Sequence, residues 1–202
     1  MGSAFASLAA TANAADLPSR TAPALVAPLA NSWTGFYVGA TTGYNFFTKA
    51  GSAKPNGTLL GLRAGYDYQI APTFVIGVLV DGELDFGKKS YSGTYLGTPY
   101  TASLKHTESY SIDLKAGYLV NDQTMIYALG GFSSGKIKAS ATVGAISASD
   151  SFTANGWNLG LGAEYRFTKQ WSAFGEYRFN QLKKDGVTVN VGEAKIGVAY
   201  RF

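Results

Sequence analysis

The chain carries a single histidine, His106, in the run Lys105-His106-Thr107-Glu108-Ser109. A histidine within reach of a serine and an acid has the makings of acyl-transfer chemistry, for instance a lipid esterase. The imidazole takes the hydroxyl proton and the acid orients the ring, provided that all three converge in space. Neighbouring residues on a strand alternate faces, so His106 and Glu108 are expected to share one face while Ser109 points to the other. That run is not a ready triad, and the chain is not expected to be an enzyme. Metal chemistry has little to work with, since there is one His and no Cys. Asp81, Glu83 and Asp85 share a face and offer oxygen ligands for a divalent cation, but they read better as partners for buried Arg and Lys. No phosphate loop or dinucleotide fingerprint is present, and Gly160-Leu161-Gly162 reads as strand packing. No catalytic, cofactor or metal site is expected.

The remaining charges are more informative. Arg63, Lys115, Arg166, Arg178, Lys195 and Arg201 fall at alternate positions among Asp67, Asp81, Glu83, Asp85, Asp113, Glu164 and Glu176. Each sits on the polar face of a segment whose other face is apolar. Around Arg63, for example, Leu60, Leu62, Ala64, Tyr66, Tyr68 and Ile70 oppose Gly61, Arg63, Gly65, Asp67 and Gln69. Trp157, Leu159, Leu161, Ala163, Tyr165 and Phe167 likewise oppose Asn158, Gly160, Gly162, Glu164 and Arg166. Period-2 alternation of this kind marks strands with two different faces. If the charged face is enclosed, cations and acids in near balance should pair, because an unpaired buried charge is costly. Such a network either plugs a lumen or lines an ion path. An eight-stranded interior is just wide enough for side chains, which favours a plug.

The elements that position these charges are amphipathic segments at about 33–46, 58–70, 74–86, 104–119, 124–138, 153–167, 171–182 and 190–202. Connections near 47–57, 87–103, 139–152 and 183–189 are long, while those at 71–73, 120–123 and 168–170 are tight. That rhythm predicts an all-β, eight-stranded, antiparallel, up-and-down transmembrane barrel with long outer loops and short periplasmic turns. Pro55, Pro72 and Pro99 fall in the connections.

A soluble barrel also alternates, but three features place the apolar face outward. Glycine recurs on the polar face, where a narrow lumen needs room beside long charged side chains. Aromatics gather at the tight-turn ends, as at a membrane–water interface: Tyr66, Tyr68, Phe74, Tyr118, Tyr127, Tyr165, Phe167, Trp171, Tyr200 and Phe202. The segments also exceed the roughly 5–6 residues usual for a soluble strand. Charged residues are 15% and mean hydropathy is +0.01, with no apolar run long enough for a membrane helix. The net charge of +4 is dispersed, so nucleic acid is not an expected partner. The expected outer loops present Lys49, Lys54, Lys88, Lys89, Lys183 and Lys184 with Tyr91, Tyr95 and Tyr100, which suits a hydrated surface or contact with lipid phosphates.

At the start, Ala4 to Ala12 is small and apolar, and Ala12-Asn13-Ala14 resembles a cleavage site. The expectation is a signal peptide over 1–14, cut short at its beginning because no Lys/Arg region precedes it. A proline-containing leader with Pro18, Pro23 and Pro28 then covers 15–32, and the barrel covers 33–202. At the other end Ile196, Val198, Tyr200 and Phe202 alternate with smaller or charged residues. Tyr200 and Phe202 read as an assembly signal for the barrel-assembly machinery.

Four runs resemble the small alphaproteobacterial outer-membrane β-barrel surface antigens, a porin-like family akin to the OmpA/OmpX barrels. They are Ala14-Ala15-Asp16-Leu17-Pro18, Trp33-Thr34-Gly35-Phe36-Tyr37-Val38-Gly39, Ile126-Tyr127-Ala128-Leu129-Gly130-Gly131 and Tyr200-Arg201-Phe202. The resemblance implies a Gram-negative outer-membrane protein, exposed at the surface and in contact with outer-membrane lipids including lipopolysaccharide. The expected role is structural, in envelope integrity, as a monomer without cofactor. A narrow porin is the alternative, and a lipid-A-modifying enzyme a more distant one.

Overall fold

The structure, a computed structural model, describes residues 32–49, 56–95, 97–144, 146–184 and 187–202. The expected signal peptide and the leader up to residue 31 lie outside the described residues. The elements are β1 (Gly35–Lys49), β2 (Gly57–Ala71), β3 (Phe74–Asp85), β4 (Lys88–Tyr95), β5 (Thr98–Asn121), β6 (Thr124–Val143), β7 (Ile146–Arg166), β8 (Trp171–Lys184) and β9 (Val187–Arg201). Apart from β3 and β4, sequential strands pair antiparallel, β1 pairs with β9 and β3 pairs with β5, so the sheet closes on itself. β3 and β4 both lie along β5 and occupy one position in the wall, which makes a ring of eight. Closure removes the edges within the ring, while among the described residues β4 pairs only with β5 and forms an edge of the outer extension.

β3 and β4 are separated at Phe86-Gly87. There the Phe86 amide donates to the Thr58 carbonyl at 2.9 Å, and the Gly87 carbonyl accepts from the His106 amide at 3.2 Å. The backbone of Gly87 passes so close to Gly57 that no Cβ would fit at position 57. The tight connections gather at one end of the ring, with Trp33 and Phe202, which is the periplasmic end for a barrel of this topology.

Outward positions carry Leu62, Leu114, Phe132, Leu161 and Ile196, all exposed, while the opposite face carries charge and glycine. Around the periplasmic rim Phe74 stacks edge-on to Tyr118 and Trp171 edge-on to Tyr200. Tyr68, Tyr165 and Phe167 are exposed beside them. Tyr127 departs from this belt, because it points inward and is buried. Met125, Tyr127 and Leu129 form an inward apolar row while Ile126 and Phe132 face out, so both faces of this stretch are apolar and alternation cannot rank them.

The expected outer loops at 87–103 and 139–152 are largely strand. β4 and β5 run out to Tyr95 and Thr98, and β6 and β7 to Val143 and Ile146. Gly97 and Gly144, at φ 78° and 57°, supply the left-handed turns at these tips. Both faces of the extensions meet water, so there is no apolar alternation to read. β-branched and hydroxyl residues still pair well across strands. Ser92 and Thr101 hydroxyls lie 3.3 Å apart, and those of Thr142 and Ser147 3.0 Å apart.

Candidate functional site

The enclosed face of the barrel is where the charges collect. All of the interior residues read from sequence are buried: Arg63, Asp67, Asp81, Glu83, Asp85, Asp113, Lys115, Glu164, Arg166, Glu176, Arg178, Lys195 and Arg201. They are arranged in three tiers along the lumen.

At the periplasmic end Trp33, just before β1, is fully buried. Its amide donates to Gln69 Oε1 at 3.0 Å and its indole N–H to the Asp122 carbonyl at 3.2 Å. The Arg166 guanidinium lies 4.5 Å from the ring centroid and that of Arg201 5.4 Å. Arg201 also donates to the Trp33 carbonyl at 2.6 Å and to Asp67 at 2.7 Å. Lys115 reaches Asp67 at 2.8 Å and the Tyr37 hydroxyl at 3.3 Å. Glu164 accepts from Ser172 at 2.7 Å and lies 3.8 Å from Arg201 and 3.9 Å from Lys115.

The middle tier spans the lumen. Arg178, on β8, meets Asp81 on β3 at 2.7 Å, Asp113 on β5 at 3.0 Å and Glu176 at 2.9 Å. β8 and β3 stand on opposite sides of the eight-position ring. Arg63 pairs with Asp81 at 3.0 Å and with Glu176 at 3.3 Å, its guanidinium 4.0 Å from the Phe174 ring. Tyr127 donates to Glu176 at 2.9 Å, which explains why an aromatic is tolerated inside. Lys195 meets Glu83 at 2.7 Å and Glu193 at 3.3 Å. Asn158 and Ser111 complete Asp113, at 2.7 and 2.8 Å. Charge-assisted bonds in such numbers satisfy groups that would otherwise be expensive to enclose.

In the outermost tier Asp85 accepts from Asn45 at 2.5 Å and from Ser109 at 3.0 Å, and His106 Nδ1 lies 3.1 Å from it. The expected facing of this stretch is corrected here. A bulge between His106 and Glu108 shifts the register, so His106 and Ser109 both face in and Glu108 faces out toward Lys136 and Tyr110. A histidine, a serine and an acid do therefore meet, but the serine bonds the acid rather than the imidazole. His106 Nε2 is buried without a hydrogen-bond partner and lies 2.9 Å from where a Cβ on Gly135 would be. A serine nucleophile needs its hydroxyl on that nitrogen. Around this tier Phe47, Leu59, Ile137, Ala154, Leu182 and Val191 are buried inward, with Phe47 edge-on to His106. Among the described residues no cluster of His, Cys, Asp or Glu is arranged to hold a metal ion. Asp81, Glu83 and Asp85 are all engaged as above.

Glu193 was missed at the sequence level, although it lies two residues before Lys195 on the same face. Trp33 is the first residue of the expected segment 33–46, yet it precedes β1 and its buried side chain fills the lumen. Tyr37 and Tyr127 lean over Gly65 and Gly162, where a Cβ would meet the phenol rings, so glycine makes room for aromatics as well as for cations. Of the terminal residues, Tyr200 stacks on Trp171 and on Phe202. The Phe202 amide donates to the Phe36 carbonyl at 3.0 Å.

Residues 2–202 match the family described as the outer membrane protein beta-barrel domain. The chain is similar to the 31 kDa outer-membrane immunogenic protein of Brucella melitensis, at 28% identity over 85% of this chain and 84% of the relative. It is also similar to the 25 kDa outer-membrane immunogenic protein of Brucella canis, at 30% identity over 96% of this chain and 92% of the relative. In fold it is similar to Ail, the attachment invasion locus protein of Yersinia pestis, with a TM-score of 0.56 and 18% identity over 84% of this chain and 99% of Ail. The chain belongs to the outer membrane protein beta-barrel domain family and is a protein of the Gram-negative outer membrane.

Proposed function

We propose that this outer-membrane barrel is a closed structural element of the envelope that presents its outer hairpins at the cell surface, with a lumen plugged by its own charged network. Arg178 carries this reading: its ion pairs join β8 to β3 and β5 across the lumen. A permeating ion would have to displace a guanidinium held by three carboxylates, at a cost of several kcal/mol. Trp33 below the network and the apolar tier above it add to the obstruction. The placement of Ser109 on Asp85 supports a non-enzymatic role.

Single-channel recording in a planar bilayer tests the proposal. Purified protein is expected to give no steady conductance. A reproducible conductance that changes with Arg63→Gln or Asp81→Asn would overturn the plug and establish the narrow porin instead.

A further inference from the structure

Asp85 is the last residue of β3 and is buried with the chain's single histidine. Every other buried acid of the lumen lies within 3.8 Å of an Arg or Lys. Among the described residues Asp85 has no such cation. Its ion-pair partner is His106, whose Nδ1 lies 3.1 Å from Oδ2.

The surroundings fix the charge on Asp85. The Gly57 amide donates to Asn45 Oδ1 at 3.0 Å, which turns the Asn45 amide nitrogen toward Asp85 Oδ1 as a donor at 2.5 Å. The Ser109 hydroxyl donates to Oδ2 at 3.0 Å. Both oxygens accept, as those of an ionised carboxylate do, and two neutral donors leave its charge unbalanced.

Other charged groups near His106 are committed elsewhere. Glu83 on β3 meets Lys195 at 2.7 Å, and Glu193 on β9 meets the same lysine at 3.3 Å. β1, β2, β6, β7 and β8 present Phe47, Leu59, Ile137, Ala154 and Leu182 to this tier, none of which titrates. On the opposite face Lys88, Lys105 and Lys138 are exposed, and Glu108 faces Lys136. Neither ring nitrogen of His106 has an aligned hydrogen bond. A neutral imidazole gains little from such a contact, because a hydrogen bond weakens steeply with angle. A charged ring gains from proximity alone, through an attraction that burial strengthens.

The pair also spans a break in the wall. β5 changes partner from β3 to β4 between Glu108 and Lys105, at the same bulge that turns His106 inward. We propose that His106 is a buried imidazolium serving as the cation of Asp85, and that this pair is a proton-dependent clasp on the β3–β5 junction at the outer end of the lumen. Losing the proton leaves Asp85 as an unpaired buried charge and loosens the junction. The folded barrel holds a proton that the unfolded chain releases as the pH rises through the ordinary histidine range. The clasp's contribution to stability is thus complete in mild acid and lost in alkali. It belongs to the wall, so it stands whether or not the lumen conducts.

Because the chain has one histidine, labelling with ring-¹⁵N histidine gives a single imidazole signal from the full chain refolded in detergent micelles. At about pH 7.5 a histidine in water is largely neutral. There both ring nitrogens are expected to be protonated in the parent, and the ring to be neutral in Asp85→Asn. A neutral ring in the parent, or an equally charged ring in Asp85→Asn, would overturn the proposal. Urea midpoints in vesicles at about pH 6 and about pH 8 then measure the clasp. The parent is expected to lose stability between the two. His106→Gln should lose most of that dependence, while Glu83→Gln, which removes the next carboxyl inward on β3, should keep it. A dependence retained in His106→Gln, or abolished in Glu83→Gln, would assign the proton to Glu83 and overturn the clasp.

Discussion

On the proposed reading, the two ends of the lumen are closed by different means. At the periplasmic end the closing group is Trp33, contributed by a short stretch before β1 and held by hydrogen bonds and two guanidinium faces. At the outer end Phe47, Ile137, Leu182 and Val191 close the space, and every one belongs to a strand. The first closure is added to the barrel; the second is part of its wall. An added piece can release locally while the ring stays intact, whereas a wall residue cannot leave without disturbing the register that places it. The charged middle differs from both, because its members come from five or more strands and satisfy one another.

The largest effect is expected in that middle. Arg178→Met leaves Asp81, Asp113 and Glu176 short of a cation and should cost about 3–5 kcal/mol, the usual penalty for breaking a buried charge network. Urea unfolding in detergent micelles or vesicles measures it. Next comes the outer tier. Leu182→Ala empties space that the neighbouring strands cannot collapse into, at about 2–3 kcal/mol. The same unfolding experiment checks it, and a loss well under 1 kcal/mol would show that tier to be loosely packed. Trp33→Ala should cost least, about 1 kcal/mol, because the segment that holds it can detach and leave Arg166 and Arg201 to water at the rim. The contrast collapses if Trp33→Ala proves as costly as Leu182→Ala, since both ends would then be integral to the wall.

Much of this arrangement was legible from alternation. Period 2 separated the faces of β2 and β7 and picked out the charges that the structure buries. It lost its grip wherever the two faces stopped differing. In β6 both faces are apolar around Tyr127, and the residue was assigned to the outer belt. In the outer hairpins both faces are polar, and strand was read as loop. At His106 a bulge broke the parity itself, which no pattern of residue types announces. Trp33 escaped because it is not on a strand, so no periodicity governs where its ring goes. The pairing of one side chain with another across the lumen was also out of reach: alternation says which residues face inward, but only the shear of the closed ring decides which of them meet.

The position of Trp33 also divides the chain's three tryptophans optically. Trp33 is sealed inside against two cations, whereas Trp157 and Trp171 stand on the wall facing the bilayer. Brominated acyl chains would therefore darken two of the three indoles and leave the third emitting. The unquenched fraction becomes a clock for barrel closure, rising only when the ring has shut around the residue that precedes its first strand.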